Sequence, residues 1–483
     1  MTGAARRACL GSGLEEPAGV GRKWEYAIRI NFRQGRGRIR GTLRGHHSQL
    51  RCPEASPMCS VPMVSSRLQH LLTTTADAAA QASGCVQRTR NFSGATLCQT
   101  LVFGWLSHPT ATLDHLCQMA AASGVRISPQ GLAKRFTPAA ATMLKQVLEA
   151  AVEQVLSTDP VALPLLQRFN GVYLQDCTTI TLPSALASIW SGCGTGDGHT
   201  AALKAGVRID LAAGTLHGPV LAAGRTDDRT VAAALPGLPP RSLRIADLGF
   251  FSLTDLAAQE TAGCYWLTRI QTGTALFDDT GRRRELATLL EHQVTGLTEC
   301  VVDVGVNERL TCRLIAVPVP DAVATQRRRR MRERAHRLGK TVTADRLRLA
   351  AFMVFITNAP AELLTPTEAL VLGRARWQIE LLFKGWKSVG QVDQWRSQQP
   401  YRILCEVYAK LIGVVIQHWL LLTAGWDDPH HSLVKASAAV RDAAFTLALP
   451  LQTGCRKNIR RADPGTYQLL EHPDLTYDLP STA

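Results

Sequence analysis

The chain has 483 residues and a hydrophobic content of 46%, which is enough for two or more domains with a sizeable core. It carries 54 Lys and Arg residues against 39 Asp and Glu, and this net charge of +15 favours nucleic acid or another polyanion as the partner. The 13 cysteines are scattered and form no C-x-x-C pair, which argues against a disulfide framework and against a zinc site.

The sequence shows no sign of export or of a membrane span. The N-terminus has no apolar segment of the kind found in signal peptides. The longest apolar run, around Leu411–Ala424, is interrupted by Gln417 and His418 and is too short to cross a bilayer. We therefore expect a core helix there and a protein that works in the reducing cytoplasm.

The first part of the chain is a basic segment without a hydrophobic period. Residues 1–57 are rich in Gly and Arg and hold 11 Lys and Arg against 4 Asp and Glu. This composition predicts a disordered extension over residues 1–62. Met58 and Met63 are alternative starts of the native chain, because the periodic sequence begins after them.

A helical pattern follows over residues 63–165 and contains a candidate helix-turn-helix. Its first helix is predicted from Thr112 to a stop at Gly124. Its second is predicted to begin with Ser128 as N-cap and to direct Lys134 and Arg135 outward. Such a pair either contacts DNA or is a plain packing unit, and both interpretations stay open.

From Arg168 onward the pattern predicts strands, and two of them carry an aspartate. Asp176 lies in the middle of the β-rich run 171–182, and Asp247 ends the apolar run that starts at Ser242. Between them, residues 205–211 and 215–222 read as a hairpin. The predicted strands place both carboxylates on or directly after a sheet.

Further strands are predicted between Asp247 and Glu380, together with an arginine-rich helix. The β-like runs are 264–270, 299–304, 310–319 and 351–357. The arginine-rich run, residues 326–337, is either a solvated face or a contact for phosphates.

The segment from Arg376 to Lys387 predicts a helix with two different faces. At about 100° per residue, Glu380 falls beside Arg376, Lys384 and Lys387 on the polar face. The opposite face is apolar and suits packing on a sheet. An acid among bases fits a metal-dependent enzyme acting on a polyanion, although ordinary solvated helices show the same spacing.

Asp176, Asp247 and Glu380 are the three carboxylates that stand out by their setting. Each alone could be a solvated or capping residue. Together, three acids that converge at the end of a sheet can bind two Mg²⁺ ions through hard oxygen ligands. Two such ions stabilise both the attacking and the leaving oxygen of a phosphoryl displacement.

These residues resemble the DDE transposases of bacterial insertion sequences. The order Asp, Asp, Glu on strand, strand and helix is similar, and Arg376, Glu380 and Lys387 match the Tyr-x2-Arg-x3-Glu-x6-Lys signature of insertion sequence family four in identity and spacing. The signature tyrosine falls at position 373, where this chain has Gly373. The similarity extends over about residues 63–450.

The resemblance implies a role for each of these positions. Asp176, Asp247 and Glu380 would be the catalytic acids and would bind two Mg²⁺ ions, for which Mn²⁺ can substitute. The implied DNA-binding residues are Arg376, Trp377, Lys384 and Lys387, in addition to Lys134 and Arg135 of the helical region. Trp377 would stack on a distorted terminal base, and core packing is the alternative for it.

The resemblance also implies a fold and a function. The fold would be α/β, with a ribonuclease-H-like core of a mixed sheet and flanking helices, a β-rich insertion domain, and helical N- and C-terminal regions. The predicted boundaries are 1–62 for the extension, 63–165 for the DNA-binding domain, 166–250 and 349–400 for the two parts of the core, 251–348 for the insertion, and 401–483 for the C-terminal region and tail.

The implied activity is cut-and-paste transposition, a form of DNA recombination. The enzyme would be an endonuclease and strand transferase that binds double-stranded DNA, namely terminal inverted repeats and target DNA, as a homodimer on the bacterial nucleoid and without contact to a membrane. Two alternatives stay open: a catalytically inactive DNA-binding protein derived from a transposase, and a ribonuclease-H-like nuclease without strand transfer.

Overall fold

The structure, a computed structural model, describes the chain between residues 60 and 452 with several gaps. The described ranges are 60–87, 92–158, 160–161, 163–193, 200–291, 296–423, 426 and 433–452. All of them belong to one compact unit, Pro53–Ala483. The predicted extension lies outside the described residues apart from residues 60–62, and so does the predicted tail beyond residue 452.

The N-terminal region is helical, as its sequence pattern predicts. Its helices are α1 (Val61–His70), α2 (Ala76–Ala82), α3 (Gly94–Ser107), α4 (Leu113–Ala122), α5 (Pro129–Ala133), α6 (Pro138–Glu153) and α7 (Pro164–Gln167). A π-helical turn, Leu71–Thr75, joins α1 to α2. Helix α3 is apolar on every side and is buried along almost its whole length, as expected of a central core helix.

The two helices of the predicted helix-turn-helix start where predicted, but the second is short. Ser128 caps α5 as predicted, and Thr112, where the first helix is predicted to start, caps α4; each accepts a backbone N–H. Helix α5, however, has only five residues, so Lys134 caps its C-terminus and Arg135 lies beyond it. Both bases are exposed, as predicted, but they lie at and beyond the C-terminus of α5 and not within a helix, because Thr137 caps the next helix, α6, immediately afterwards.

A ten-stranded sheet forms the centre of the described structure. Its strands are β1 (Val172–Leu182), β2 (Ala201–Asp210), β3 (Leu216–Ala223), β4 (Leu243–Ala246), β5 (Tyr265–Arg269), β6 (Leu276–Phe277), β7 (Arg283–Arg284), β8 (Thr298–Val304), β9 (Leu310–Pro318) and β10 (Phe352–Thr357). The spatial order is β3-β2-β1-β4-β5-β10-β9-β8-β6-β7. Strands β1, β4 and β5 run parallel, and the other neighbouring pairs are antiparallel, including the predicted β2–β3 hairpin.

The strands of the predicted insertion continue this sheet. Strand β9 pairs with β10, and β8 pairs with β9. Helix α8 (Asp228–Ala233) precedes the predicted insertion. The segment from residue 251 contains helices α9 (Leu253–Thr261), α10 (Leu286–Glu291), α11 (Asp321–Arg337) and α12 (Ala344–Leu349). A separate apolar cluster around Trp266, Leu290 and Leu314 forms the core beside these strands. The sheet therefore borders two hydrophobic cores. The predicted domain boundaries stay predictions.

The predicted Glu380 helix is present and follows a second helix closely. Helix α13 (Pro366–Ala375) begins with Thr365 and Glu368 in a capping box, and α14 (Trp377–Ser388) starts after a break at Arg376. The buried residues of α14 are Ile379, Phe383 and Trp386, all from the predicted apolar face. That face packs α14 against the sheet and leaves Glu380 on its polar side.

Two long helices complete the main core, α15 (Pro400–Thr423) and α16 (Leu433–Gln452). By length and composition α15 could cross a membrane, but its most apolar 18-residue window is wholly buried inside the protein. It packs against α3 and α6. The prediction of a core helix at this position is confirmed.

Candidate active site

The parallel strands bring two acids and one arginine to the same level of the sheet. In the register of β1 with β4 and of β4 with β5, the last paired residues are directly followed by Asp176 and Asp247, and Arg269 ends β5 beside them. Strand β1 continues to Leu182, so Asp176 lies within it, at the point where its pairing with β4 stops, whereas Asp247 directly follows β4. This register places the two carboxylates together.

Arg376 lies between all three predicted acids. Its Nη1 is 3.6 Å from Asp176 Oδ2, its Nε is 4.0 Å from Asp247 Oδ1, and its Nη2 donates to Glu380 Oε1 at 2.5 Å. The Arg376 side chain is only 17% exposed. Three residues that are far apart in the sequence therefore converge on one guanidinium group, as the three-acid hypothesis requires.

Burial controls the protonation of this cluster. Burial raises the pKa of Asp176 to about 6, against the lowering effects of the Cys177 backbone N–H that it accepts at 2.8 Å and of Arg376. For Arg376, burial lowers the pKa, but the three acids together raise it more, so the net pKa lies above the ordinary value.

The donor set suits a hard divalent cation in its chemistry, because all three side chains offer carboxylate oxygens. Over the ranges that the structure describes, no group of three or more His, Cys, Asp or Glu side chains converges closely enough to hold an ion. In the case of Asp176, Asp247 and Glu380, the guanidinium lies between them. The acids are thus gathered around a protein cation in this arrangement.

The predicted DNA contacts of α14 differ in their surroundings. Lys384 is exposed, whereas Lys387 donates from Nζ to Thr179 O of β1 at 3.1 Å, and burial lowers the pKa of its ammonium group. Trp377 is 39% exposed at the start of the helix, so the core-packing alternative for this residue is wrong. Lys134 and Arg135 are exposed in the N-terminal helical region.

Gly373 has a packing reason to be glycine. A Cβ atom built at this position would lie 2.5 Å from Cζ and 2.6 Å from Cε1 of Phe355 on β10. Helix α13 therefore approaches the sheet more closely than any side chain at position 373 would permit. The structure around position 373 is therefore packed for a glycine and not for the signature tyrosine.

Arg269 belongs to this site but does not stand out in the sequence. It adjoins Asp247 across β4 and β5, and burial lowers the pKa of its guanidinium while Asp247 raises it. The signal that could have found it is a lone base at the end of a strand parallel to the Asp247 strand. To use that signal one must know which strands are neighbours in the sheet, and the sequence alone does not give this order.

Comparisons with known proteins identify the family. The family model described as "Transposase DDE domain" matches residues 168–416, just over half of the chain, and this range contains the three acids and Arg376. The chain belongs to the DDE transposases. The predicted resemblance is confirmed, and this transposase acts in insertion-sequence transposition, as predicted.

Curated relatives agree with this assignment. The transposase for insertion sequence element IS231B of Bacillus thuringiensis subsp. berliner is 29% identical over 371 residues, which cover 72% of this chain and 77% of the relative. The transposase for IS1151 of Clostridium perfringens is 22% identical over 319 residues, covering 62% and 67%. These matches favour neither the inactive DNA-binding protein nor the nuclease without strand transfer.

A solved structure described as the piggyBac transposase synaptic complex with hairpin DNA aligns with 88% of this chain and 87% of that chain. The sequence identity is 9% and the TM-score is 0.43. At that distance the likeness carries no conclusion about this transposase. Membership of the family implies that the protein binds DNA and that its chemistry depends on divalent metal ions.

Proposed function

We propose that this transposase cuts DNA at the terminal inverted repeats of its element and joins the ends to target DNA, with Asp176, Asp247 and Glu380 as the metal-binding catalytic acids. The observation that supports this is the convergence of all three carboxylates within 4.0 Å of one guanidinium. Arg376 would neutralise the acids until DNA and metal arrive, and would then turn to a phosphate near the cleavage point.

The reaction uses two kinds of phosphoryl transfer, hydrolysis and attack by a 3′-OH. In the first, a water oxygen attacks the scissile phosphorus and the bond to the 3′ oxygen breaks, which leaves a 3′-OH and a 5′-phosphate. In the second, that 3′-OH attacks a phosphodiester of the target, and the displaced 3′ oxygen leaves with a proton. A hairpin intermediate at the ends is an expectation from the family resemblance.

We infer that two Mg²⁺ ions, replaceable by Mn²⁺, bind at the three carboxylates. When bound, divalent ions activate the attacking oxygen and offset charge on the leaving oxygen. Two changes in these residues would accompany the binding of the ions. Asp176 must lose its proton, and Arg376 must move away from between the three carboxylates. The hard oxygen donors support magnesium over a softer metal.

The remaining predicted contacts would hold the DNA. Lys384 and Lys387 lie one turn and two turns beyond Glu380 and would bind phosphates, although Lys387 would have to release Thr179 O first. The exposed ring of Trp377 offers a face on which a displaced base can stack. Lys134 and Arg135 are further candidates for contact with the duplex.

We propose that β1 to β5 form a ribonuclease-H-like core, which would extend its first part beyond the predicted boundary at residue 250 to include β5, Tyr265–Arg269. Their order β3-β2-β1-β4-β5, with β1, β4 and β5 parallel, supports this assignment. We also propose a homodimer, because two ends have to be held together before they are joined and each copy can bind one. The expected location is the bacterial cytoplasm, on the nucleoid.

Cleavage and strand transfer on DNA that carries the element's ends test the proposal. D176N, D247N and E380Q should each lower both rates by about 10²–10³-fold or more in Mg²⁺. D303N is the matched control, since Asp303 accepts from Thr311 on the neighbouring strand and lies in β8, outside the cluster. Full activity in the three acid variants would contradict the assignment, and cleavage without strand transfer would favour a nuclease.

A further inference from the structure

Helix α11 concentrates positive charge in a way that the catalytic site does not use. Its 17 residues, Asp321–Arg337, contain seven arginines and only two acids, Asp321 and Glu333. Of its residues only Ala324 is buried. A helix that is polar on all sides gains little from packing, so its composition calls for another explanation.

The outward face of α11 carries two arginines on either side of an acid. Arg329, Glu333 and Arg337 follow each other at four-residue spacing and share one face, which lies opposite Ala324 at about 100° per residue. All three are exposed, and the Arg329 side chain is 80% exposed, while its Nε donates to Glu333 Oε1 at 2.8 Å and Arg337 Nε donates to Glu333 O at 3.4 Å. This face points away from the sheet and is accessible to a large partner.

Two other arginines fix the inner side of α11, one to the sheet and one to helix α12. Arg327 donates from Nη1 to Phe352 O at the start of β10, at 3.2 Å. Arg328 donates from Nε to Leu347 O of α12 at 2.9 Å. The helix is therefore held in a defined position, and its outer arginines do not sit on a loose segment.

A row of arginines connects α11 with the three acids. Arg269, beside Asp247, pairs with Phe355 of β10. Phe352, whose carbonyl holds Arg327, lies three residues back along the same strand, which is about 10 Å. The order Arg376, Arg269, Arg327 and α11 thus runs from the carboxylates outward across adjacent strands.

Like charges on α11 oppose its own stability. Arg328 and Arg332 stand at the i, i+4 spacing where equal charges repel. A polyanion that lies along the helix would remove this repulsion and would release counterions. Duplex DNA, the substrate of this transposase family, has the charge density and the length to do so.

We propose that the outward face of α11 binds the phosphate backbone of the duplex that leads away from the cleavage site, without reading its sequence. This inference rests on the proposed function, since it takes the three acids as the point of cleavage. The contact is a phosphate track: it adds affinity and orients the DNA, while base-specific recognition lies elsewhere.

The salt dependence of DNA binding tests the proposal. Binding of a mixed-sequence duplex is measured by fluorescence anisotropy in EDTA over a series of NaCl concentrations. R329A/R337A should reduce the magnitude of the slope of log K against log salt by about 0.9 for each phosphate that the variant no longer neutralises. R282A/R283A, which removes two exposed charges from β7 and the turn before it, should keep the slope of the unmodified protein.

Two further variants complete the test. R329K/R337K should retain the slope, because lysine still binds phosphate. E333Q, which removes the acid from the same face, should lower the Kd for the duplex. An unchanged slope in R329A/R337A, as expected if the helix docks on another protein, would overturn the proposal, and so would an equal decrease in R282A/R283A. Because EDTA prevents cleavage, failure of the metal assignment would leave these slopes as they are.

Discussion

Arg376 and Glu380 lie one helical turn apart at the start of α14, and Arg376 Nη2 donates to Glu380 Oε1 at 2.5 Å. The same guanidinium is within 4.0 Å of Asp176 and Asp247. Because Arg376 sits at the break between α13 and α14, its side chain can reach Asp176 in the middle of β1 and Asp247 directly after β4, while α14 still packs on the sheet. This one residue organises the candidate active site.

Replacing Arg376 should destabilise the metal-free protein. R376Q removes the one cation that contacts all three acids and leaves Arg269 beside Asp247, so the free energy of unfolding should fall by about 1–3 kcal/mol. Added Mn²⁺ should restore more stability to the variant than it adds to the unmodified protein, since no guanidinium competes for the carboxylates. The measurement is chemical denaturation with and without Mn²⁺. K384Q, on the exposed side of the same helix, should stay within about 0.5 kcal/mol.

The buried carboxyl of Asp176 should make stability fall as the pH rises. Its pKa is about 6 in the folded protein, because of burial, and about 3.9 in an unfolded chain. Between these values the folded protein keeps a proton that the unfolded chain has lost, so the native state is progressively penalised from about pH 4 to pH 6.

D176N removes this titration. The free energy of unfolding of the unmodified protein, minus that of D176N, should decrease by about 2–3 kcal/mol between pH 4 and pH 6 and should be level outside this window. Urea denaturation at a series of pH values measures it. A flat difference would show that Asp176 ionises as it does in the unfolded chain, and a rise with pH would show that folding lowers its pKa; either result would contradict this prediction.

Gly373 should not tolerate a side chain while Phe355 is present. G373A puts its Cβ into the Phe355 ring and should cost about 1–3 kcal/mol. G385A is the matched control on α14, where a Cβ would meet nothing within 4 Å, and it should stabilise the protein by about 0.5–1 kcal/mol. Combining G373A with F355L should recover part of the stability, and strict additivity would contradict the contact.

The buried pair Glu406 and Lys410 should stabilise the fold, including the segment that follows α14. Their side chains are 3% and 2% exposed, and Lys410 Nζ donates to Glu406 Oε1 at 2.8 Å as well as to Gln391 O and Gln394 O. K410M leaves a buried carboxylate alone and should cost about 3–5 kcal/mol.

The double variant E406L/K410M should be more stable than K410M, although it still leaves two carbonyl oxygens without their donor. Thermal unfolding of the three proteins measures the difference. If K410M and E406L/K410M have the same Tm, the lone carboxylate of Glu406 costs no stability, which would contradict this prediction.

Much of the fold is readable from local sequence. The caps at Thr112 and Ser128, the strands that carry Asp176 and Asp247, and the buried face of α14 all follow from residue types and spacing, because capping and hydrophobic period are local properties. The length of α5 does not follow, because it depends on where the next helix begins.

The candidate site needed information that spacing does not contain. The sequence singles out the three acids and Arg376, but the central position of Arg376 depends on the register of β1, β4 and β5. The same register brings in Arg269, and the contact of Gly373 with Phe355 depends on how α13 lies on β10. Such long-range packing cannot be read from one strand or one helix at a time.

The position of Mn²⁺ in a crystal of the protein tests the central claim most directly. An anomalous difference map should show Mn²⁺ bounded by the carboxylates of Asp176, Asp247 and Glu380, with the guanidinium of Arg376 displaced from between them. The signal should vanish in D176N/D247N. Mn²⁺ bound elsewhere, with Arg376 still in contact with all three acids, would contradict the assignment of these residues as the metal site.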